Sequence, residues 1–229
     1  MNIPTHVAII PDGNRRWARK KGLPTFQGHK YAAEKTLPDL LEKFGNLGVK
    51  YFTFWALSTE NLEKRTKDEV DRLLNLTRFF LKNKIKEFKK KGIKLMTIGN
   101  IRKLPQDIQD LIAKSVEKTK DNKKMTVIFG LNYGGKDEIM RAIDKISNFQ
   151  FPISKLNSAN FSKFLDTADI PDPDLIIRTG GDKRLSGFLP WQSVYSELYF
   201  SDLFFPDFNA KELEKAVEDY SSRQRRFGK

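Results

Sequence analysis

The 229-residue chain contains no cysteine and only two histidines, His6 and His29. The first absence excludes disulfide scaffolds, thiolate zinc sites and cysteine nucleophiles. The second excludes a metal centre built from several imidazoles. No uninterrupted apolar run approaches the roughly 18 residues of a membrane-spanning helix. The opening segment MNIPTHVAII carries neither a charged leader nor a long apolar stretch, so a soluble, cytoplasmic protein is expected. Linkers, fixed-period repeats and low-complexity tracts are also missing, which predicts one domain over residues 1–229.

Hydrophobic residues make up 39% of the chain and aromatics 12%, including 18 Phe, enough to order a core despite 31% charge. Lysine and arginine outnumber the acids 42 to 29, a net charge of +13 that draws anions of any kind: nucleic acid, acidic lipid or phosphorylated small molecules.

Apolar runs that end in polar loops recur along the chain. His6 to Ile10 opens into Pro11-Asp12-Gly13-Asn14, Tyr51 to Ala56 into Leu57 to Asn61, Ile93 to Ile98 into Gly99-Asn100, Met125 to Leu131 into Asn132 to Gly135, and Leu175 to Ile177 into Arg178 to Gly181. Each reads as a buried strand followed by a loop. Helical patterns lie between them, about His29 to Leu47 before Gly48, Lys67 to Lys91 before Gly92, Pro105 to Lys118, and Lys136 to Ser147. Alternating strands and helices predict an α/β fold with a parallel sheet, whose sites sit in the loops at the carboxyl ends of the strands. Lys82 to Lys94 holds seven lysines against Glu87 alone, with Leu81, Ile85 and Phe88 at helical spacing. That pattern favours a solvated face on a core-packed helix over an anionic-membrane contact, and lacks the interleaved aromatics of a nucleic-acid binder.

Pro11 to Trp17 packs a carboxylate, a glycine, an amide, two guanidinium groups and an indole into seven residues past a strand. Forked arginine donors and free N–H groups at a helix start suit phosphate. Asp12 is out of place beside an anion unless a hard cation such as Mg²⁺ sits between them. A second basic cluster, Arg178 to Ser186, follows the last apolar run, and Glu197 stands in the aromatic segment Trp191 to Phe200, where a buried carboxylate is expected to be paired or metal-bound. Two anion cradles point to two phosphorylated substrates or to a phosphohydrolase acting on one, and the residues alone leave that choice open.

The stretch HVAIIPDGNRRWA at 6–18, Gly28-His29, Ala56 to Asn61, Asn132 to Gly135, Asp174 to Ser186 through Trp191, Glu197 to Phe200 and the terminal Arg225 to Gly228 together closely resemble the cis-prenyltransferases, a family that includes undecaprenyl diphosphate synthase. The resemblance implies a six-stranded parallel sheet flanked by helices around an apolar tunnel. It implies condensation of an allylic diphosphate, of farnesyl or geranylgeranyl class, with isopentenyl diphosphate units, each step forming a Z double bond. By position, Asp12 would hold Mg²⁺ at the allylic diphosphate and Asn61 would be the proton acceptor. Gly13, Asn14, Arg15, Arg16, Trp17, His29, Ser58, Thr59, Glu60 and Arg65 would line the allylic site. Arg178, Arg184, Leu185 and Ser186 would bind isopentenyl diphosphate, with Glu197 as a second Mg²⁺ ligand, and Arg226 and Gly228 would reach that substrate across a homodimer interface. Peripheral membrane contact would serve product release, and no nucleic acid is involved. The sequence departs from the family pattern at Thr25, in place of an arginine, at Leu62, in place of a tryptophan, and in the spacing that leaves Lys64 and Arg65 both candidates for one basic position.

Overall fold

The computed structural model describes residues 2–223. Six strands, β1 (His6–Ile10), β2 (Tyr51–Ser58), β3 (Ile93–Ile98), β4 (Met125–Tyr133), β5 (Leu175–Arg178) and β6 (Glu197–Phe200), form one parallel sheet in the order β3-β4-β2-β1-β5-β6. The helices among the described residues are α1 (Asn14–Lys20), α2 (Phe26–Tyr31), α3 (Leu37–Leu47), α4 (Thr59–Lys64), α5 (Lys67–Lys90), α6 (Gln106–Thr119), α7 (Gly135–Asn148), α8 (Ser158–Ser162) and α9 (Ala210–Ser222).

Strand alternation divides the core. Val7 and Ile9 of β1 join Phe52, Phe54, Leu95, Val127, Phe129 and Ile177 on one face, where α3, α5, α6 and α9 cover them. Ala8 and Ile10 face the other way with Ile128 and Ile176, beneath Ile170, Phe188 and Leu189. A smaller cluster joins Ala142 and Ile146 of α7 to Phe161 and Leu165. From β1 the chain turns to β2 on one side, and later places β5 on the other side of β1. The loops after β1 and β5 therefore lie at a topological switch point, where an open parallel sheet splays and leaves a crevice.

Two expectations need correction. The helix read over 29–47 starts three residues earlier and is interrupted, because residues Ala32–Thr36 form a π-helical segment between α2 and α3. The sixth strand had no strand signal of its own: Glu197 to Phe200 is a four-residue edge strand, half-buried throughout, so no alternation distinguishes it. The lysine-rich part of α5 behaves as expected, with Leu81, Ile85 and Phe88 buried and Lys82, Lys86, Lys89, Lys90 and Lys91 exposed.

Candidate active site

The loop after β1 is shaped around Asp12. Gly13 adopts φ 101°, and a side chain there would strike the Phe204 ring at 2.6 Å, so glycine alone fits. The turn aims the Gly13 N–H back at Asp12 Oδ1, 2.6 Å away. Arg16, one turn into α1, reaches the same oxygen at 3.2 Å while its guanidinium lies over the Phe204 ring. Arg178, at the end of β5 and 4% exposed, donates from Nη2 to Asp12 Oδ2 at 2.8 Å. The Phe205 N–H and the Thr179 hydroxyl donate to the Asp12 carbonyl at 2.9 and 2.8 Å, locking the loop backbone to the neighbouring segments. Burial pushes the Asp12 carboxyl up, but hydrogen bonding and charge from Arg178, the Gly13 N–H and Arg16 outweigh it and hold the group below its ordinary value.

Arg178 organises the second basic loop as well. Its Nη1 donates to the Arg184 carbonyl and to Ser186 Oγ, the latter at 2.7 Å, and Asp182 lies 3.3 Å from Nη2. Ser186 has φ 52°, a left-handed conformation that turns its hydroxyl toward the guanidinium. Arg178 Nε is buried without a partner, as are Arg15 Nε and His29 Nε2. Such groups are costly to leave unmatched, and an anion is the ligand that would satisfy them.

A cavity of about 420 Å³ runs from this mouth between the sheet and α5. Its polar end has Asp12, Asn14, His29, Ser58, Glu60, Asn61, Arg65, Arg178 and Ser186. Its apolar body comes from Ala32, Ala33 and Leu37 on the π segment and α3, Phe54 and Ala56 on β2, Phe129 and Leu131 on β4, and Leu73, Leu76, Thr77, Phe80 and Leu81 on α5. Ser58 caps α4, its hydroxyl accepting from the Asn61 N–H at 3.1 Å, and this fixes Asn61 beside the mouth. An adjoining space of about 230 Å³ is bounded by Arg15, Thr25, Phe26, His29, Arg65, Glu69 and Arg72. Burial and then the charges of Arg65 and Arg15 lower His29 to about 4, keeping its imidazole neutral. Burial and the charge of Arg15 likewise lower Arg65.

The structure thus brings Asp12, Asn14, His29, Ser58, Glu60, Asn61, Arg65, Arg178 and Ser186 to one cavity, with Gly13, Arg15 and Arg16 at its rim. Of Lys64 and Arg65, Arg65 lines both spaces and Lys64 is exposed. Other expected site residues are placed elsewhere. Trp17 packs on Tyr31 and donates its indole N–H to Asp207 at 2.8 Å, so it braces α1 and does not line the cavity. The Thr59 hydroxyl is packed against Gly134. Arg184 is exposed and pairs with Asp182, contributing its carbonyl to Arg178. Leu185 packs in the core of the far sheet face.

Glu197 lines neither space: it is half-buried, opens β6 level with Leu175, three residues or about 10 Å before the strand ends, and its Oε2 accepts from Arg223 at 2.8 Å. An aromatic neighbourhood in sequence suggested an enclosed side chain, but an edge strand leaves alternate side chains at the surface. Arg226 and Gly228 lie outside the described residues. The resemblance implied an apolar tunnel, but the sequence did not single out Ala32, Ala33, Leu37, Thr77 and Phe129, which lie within ordinary apolar helix and strand patterns, as its lining.

Among the described residues no group of three or more His, Cys, Asp or Glu side chains could hold a metal ion. Asp12 still fits a hard cation shared with a ligand. A carboxylate offers about four lone-pair directions. Gly13, Arg16 and Arg178 occupy three of them, and an ionised oxygen donor next to unmatched phosphate-type donors is the setting in which Mg²⁺ binds with one carboxylate, waters and substrate oxygens.

Comparison with known proteins agrees with this geometry. The family model described as undecaprenyl diphosphate synthase matches residues 10–228. An isoprenyl transferase of Clostridium perfringens is 45% identical over 99% of this chain and 90% of its own length. The ditrans,polycis-undecaprenyl-diphosphate synthase of Micrococcus luteus, specific for (2E,6E)-farnesyl diphosphate, is 43% identical over 99% of this chain and 92% of its own. Lavandulyl diphosphate synthase from Lavandula x intermedia, solved with dimethylallyl diphosphate, superposes with a TM-score of 0.93 at 34% identity over 99% of both chains.

Proposed function

This chain belongs to the undecaprenyl diphosphate synthase family of prenyltransferases, which build cis-prenyl chains from isopentenyl diphosphate, and we propose that the cavity behind Asp12 is where it does so. The observation that carries the reading is one apolar cavity closed at its mouth by an ionised aspartate, a buried arginine bonded to it, and unmatched cationic donors on both sides. An allylic diphosphate, of the farnesyl or geranylgeranyl class, fits with its apolar chain in the cavity and its anion at Gly13, Asn14, Arg15, Arg16, His29 and Arg65. Isopentenyl diphosphate fits against Arg178, Ser186 and the Arg184 loop.

When the allylic C–O bond breaks, the electron pair leaves with the diphosphate. Donors fixed in advance around the leaving group stabilise that charge without reorganising. Mg²⁺, held by Asp12 and the diphosphate oxygens, would add Lewis-acid stabilisation of the same charge. The apolar walls from Phe54, Phe129 and Leu73 exclude water that would capture the cation. Bond formation to isopentenyl diphosphate releases a proton. Asn61 stands at the mouth as an acceptor for hydrogen bonds, and because an amide is not a base at neutral pH, the departing diphosphate takes the proton while Asn61 orients the substrate.

A homodimer is supported by an exposed apolar face on α7, Met140 and Ile143, and by the exposed Val194 and Tyr195 that precede edge strand β6. No helix among the described residues is long and apolar enough to cross a membrane.

The test is a purified-protein assay with Mg²⁺, labelled isopentenyl diphosphate and an allylic primer, reading diphosphate release and extended products by mass spectrometry. Asp12→Ala should lose turnover by a factor on the order of 10²–10³ while staying folded, with some loss of melting temperature because the buried Arg178 gives up a partner. Turnover within a few-fold of the parent protein would overturn the assignment.

A further inference from the structure

Glu138 is a buried carboxylate that the reaction above does not use: it is 1% exposed, sits one turn into α7 and lines neither cavity. Its Oε2 accepts from the Tyr133 hydroxyl at 2.7 Å and from the Gln192 amide at 3.1 Å, and its Oε1 accepts from the Asp166 N–H at 3.0 Å. All three groups that meet it are donors, which an acceptor-only carboxylate matches and an amide does not. Tyr133 and Gln192 in turn enclose the segment that follows Ser186. Phe188, fully buried, stacks on Trp55 at 4.9 Å and stands edge-on to Tyr133 at 6.1 Å. The Gly187 carbonyl accepts from the Gly135 N–H at 2.8 Å, and Pro190 lies so close to Gly135 that a side chain there would strike its ring. One carboxylate therefore ties the end of β4, the start of α7 and the chain at Asp166 to the segment over 186–192.

That segment needs the support. Ser186, Gly187 and Leu189 take φ of 52°, 83° and 48°, and a serine and a leucine hold left-handed conformations only where their surroundings impose them. The same turn carries the Ser186 hydroxyl to Arg178 Nη1 at 2.7 Å, and Arg178 is the cation bonded to Asp12. We propose that Glu138 is a positioning residue for the isopentenyl diphosphate half of the site: through Tyr133 and Gln192 it clamps residues 186–192 and so fixes Ser186 on Arg178. The proposal rests on the chain-elongation reading above. A loosened clamp lets the segment relax toward ordinary φ values, which moves the Ser186 hydroxyl off Arg178 and misplaces the contacts to the second substrate. The allylic half is spared, because its cationic and imidazole donors stand on α1, on α2 and just after α4.

Initial rates of diphosphate release, with each substrate varied in turn, test this. Glu138→Gln should raise the KM for isopentenyl diphosphate by about tenfold and leave the KM for the allylic primer within about twofold of the parent. Tyr133→Phe, which removes only the hydroxyl that meets Glu138, should give a smaller rise in the same KM and decides the matter if the glutamine variant does not fold. Ile146→Ala, which opens the separate apolar cluster of α7 with Phe161 and Leu165, should lower the melting temperature and leave the ratio of the two KM values unchanged. If the parent protein does not turn over the two substrates, the functional reading fails. If it does, and the folded variant at Glu138 or Tyr133 keeps the parental isopentenyl diphosphate KM, raises both KM values equally, or is matched by Ile146→Ala, Glu138 is a structural group only and the proposal is overturned.

Discussion

At the scale of single residues, the two histidines show how much burial decides. His6 lies 2% exposed on β1 with its ring nitrogens 2.6 Å from the Pro171 carbonyl and 2.8 Å from the Thr53 hydroxyl. Burial outweighs those contacts and lowers it to about 4. Its protonation is thus opposed in the fold and free in the unfolded chain, whose value is near 6.5. The stability this neutral ring supports is complete above pH 6.5 and is lost as pH falls toward 4. A shift of that size corresponds to about 3 kcal/mol. Urea unfolding between pH 7.5 and 4.5 should show this decline together with a like one from His29, and His6→Asn, though less stable at neutral pH, should make it shallower; an unchanged slope would show that His6 does not contribute. Asp12, Gly13 and Arg16 were legible in the sequence because one short loop carries them. The pairing of Glu197 with Arg223 was not legible, because a run of aromatic neighbours says nothing about which way an edge-strand side chain points.

Among elements, α5 matters most, since it supplies both the cavity wall and the cationic outer face. Its start was legible. Thr66 caps the helix, its hydroxyl accepting from the Glu69 N–H at 3.3 Å, and Glu69 in turn pairs with Arg15 at 3.5 Å. Thr66→Ala should cost about 1 kcal/mol, measured by urea unfolding, and should weaken affinity for the allylic diphosphate by loosening the Arg15 partner. Equal stability of the two proteins would remove the cap from the account. The π segment at Ala32–Thr36 was not legible, because no side-chain signal distinguishes one wide turn from its α-helical neighbours. Its effect is functional: it places the small side chains of Ala32 and Ala33 on the cavity, in the kind of position where π segments recur.

Across the whole molecule, the strand order sets which loops meet. Asp12 and Arg178 lie 166 positions apart and touch because β1 and β5 are neighbours at the switch point. The same register sends Glu197 and Arg223 to the opposite end of the sheet, so the chain leaves the described fold far from its own Asp12. We propose, from the family resemblance, that residues beyond Arg223 serve the site of a second copy. Deleting residues 225–229 should leave a dimer that uses isopentenyl diphosphate poorly. Mixing this truncation with Asp12→Ala should restore activity, since one composite site then combines an intact body with an intact tail. Verified subunit exchange without recovery would show that the tail does not act in trans.

The sequence by itself determined the alternation of strands and helices, the parallel sheet, and the two basic, glycine-bearing loops that carry the polar chemistry. Those are local properties, written in periodicity, turn residues and short motifs. The tertiary structure decided what is made jointly by distant segments: the Asp12–Arg178 pair, the placement of Arg65 on the cavity and of Lys64 in solvent, the packing of Trp17 against Tyr31 and Asp207, the pairing of Glu197 with Arg223, and the cavity itself. A cavity has no sequence signature because it is the volume left between α5, the π segment and β4, and each of its walls, read alone, is an ordinary apolar face.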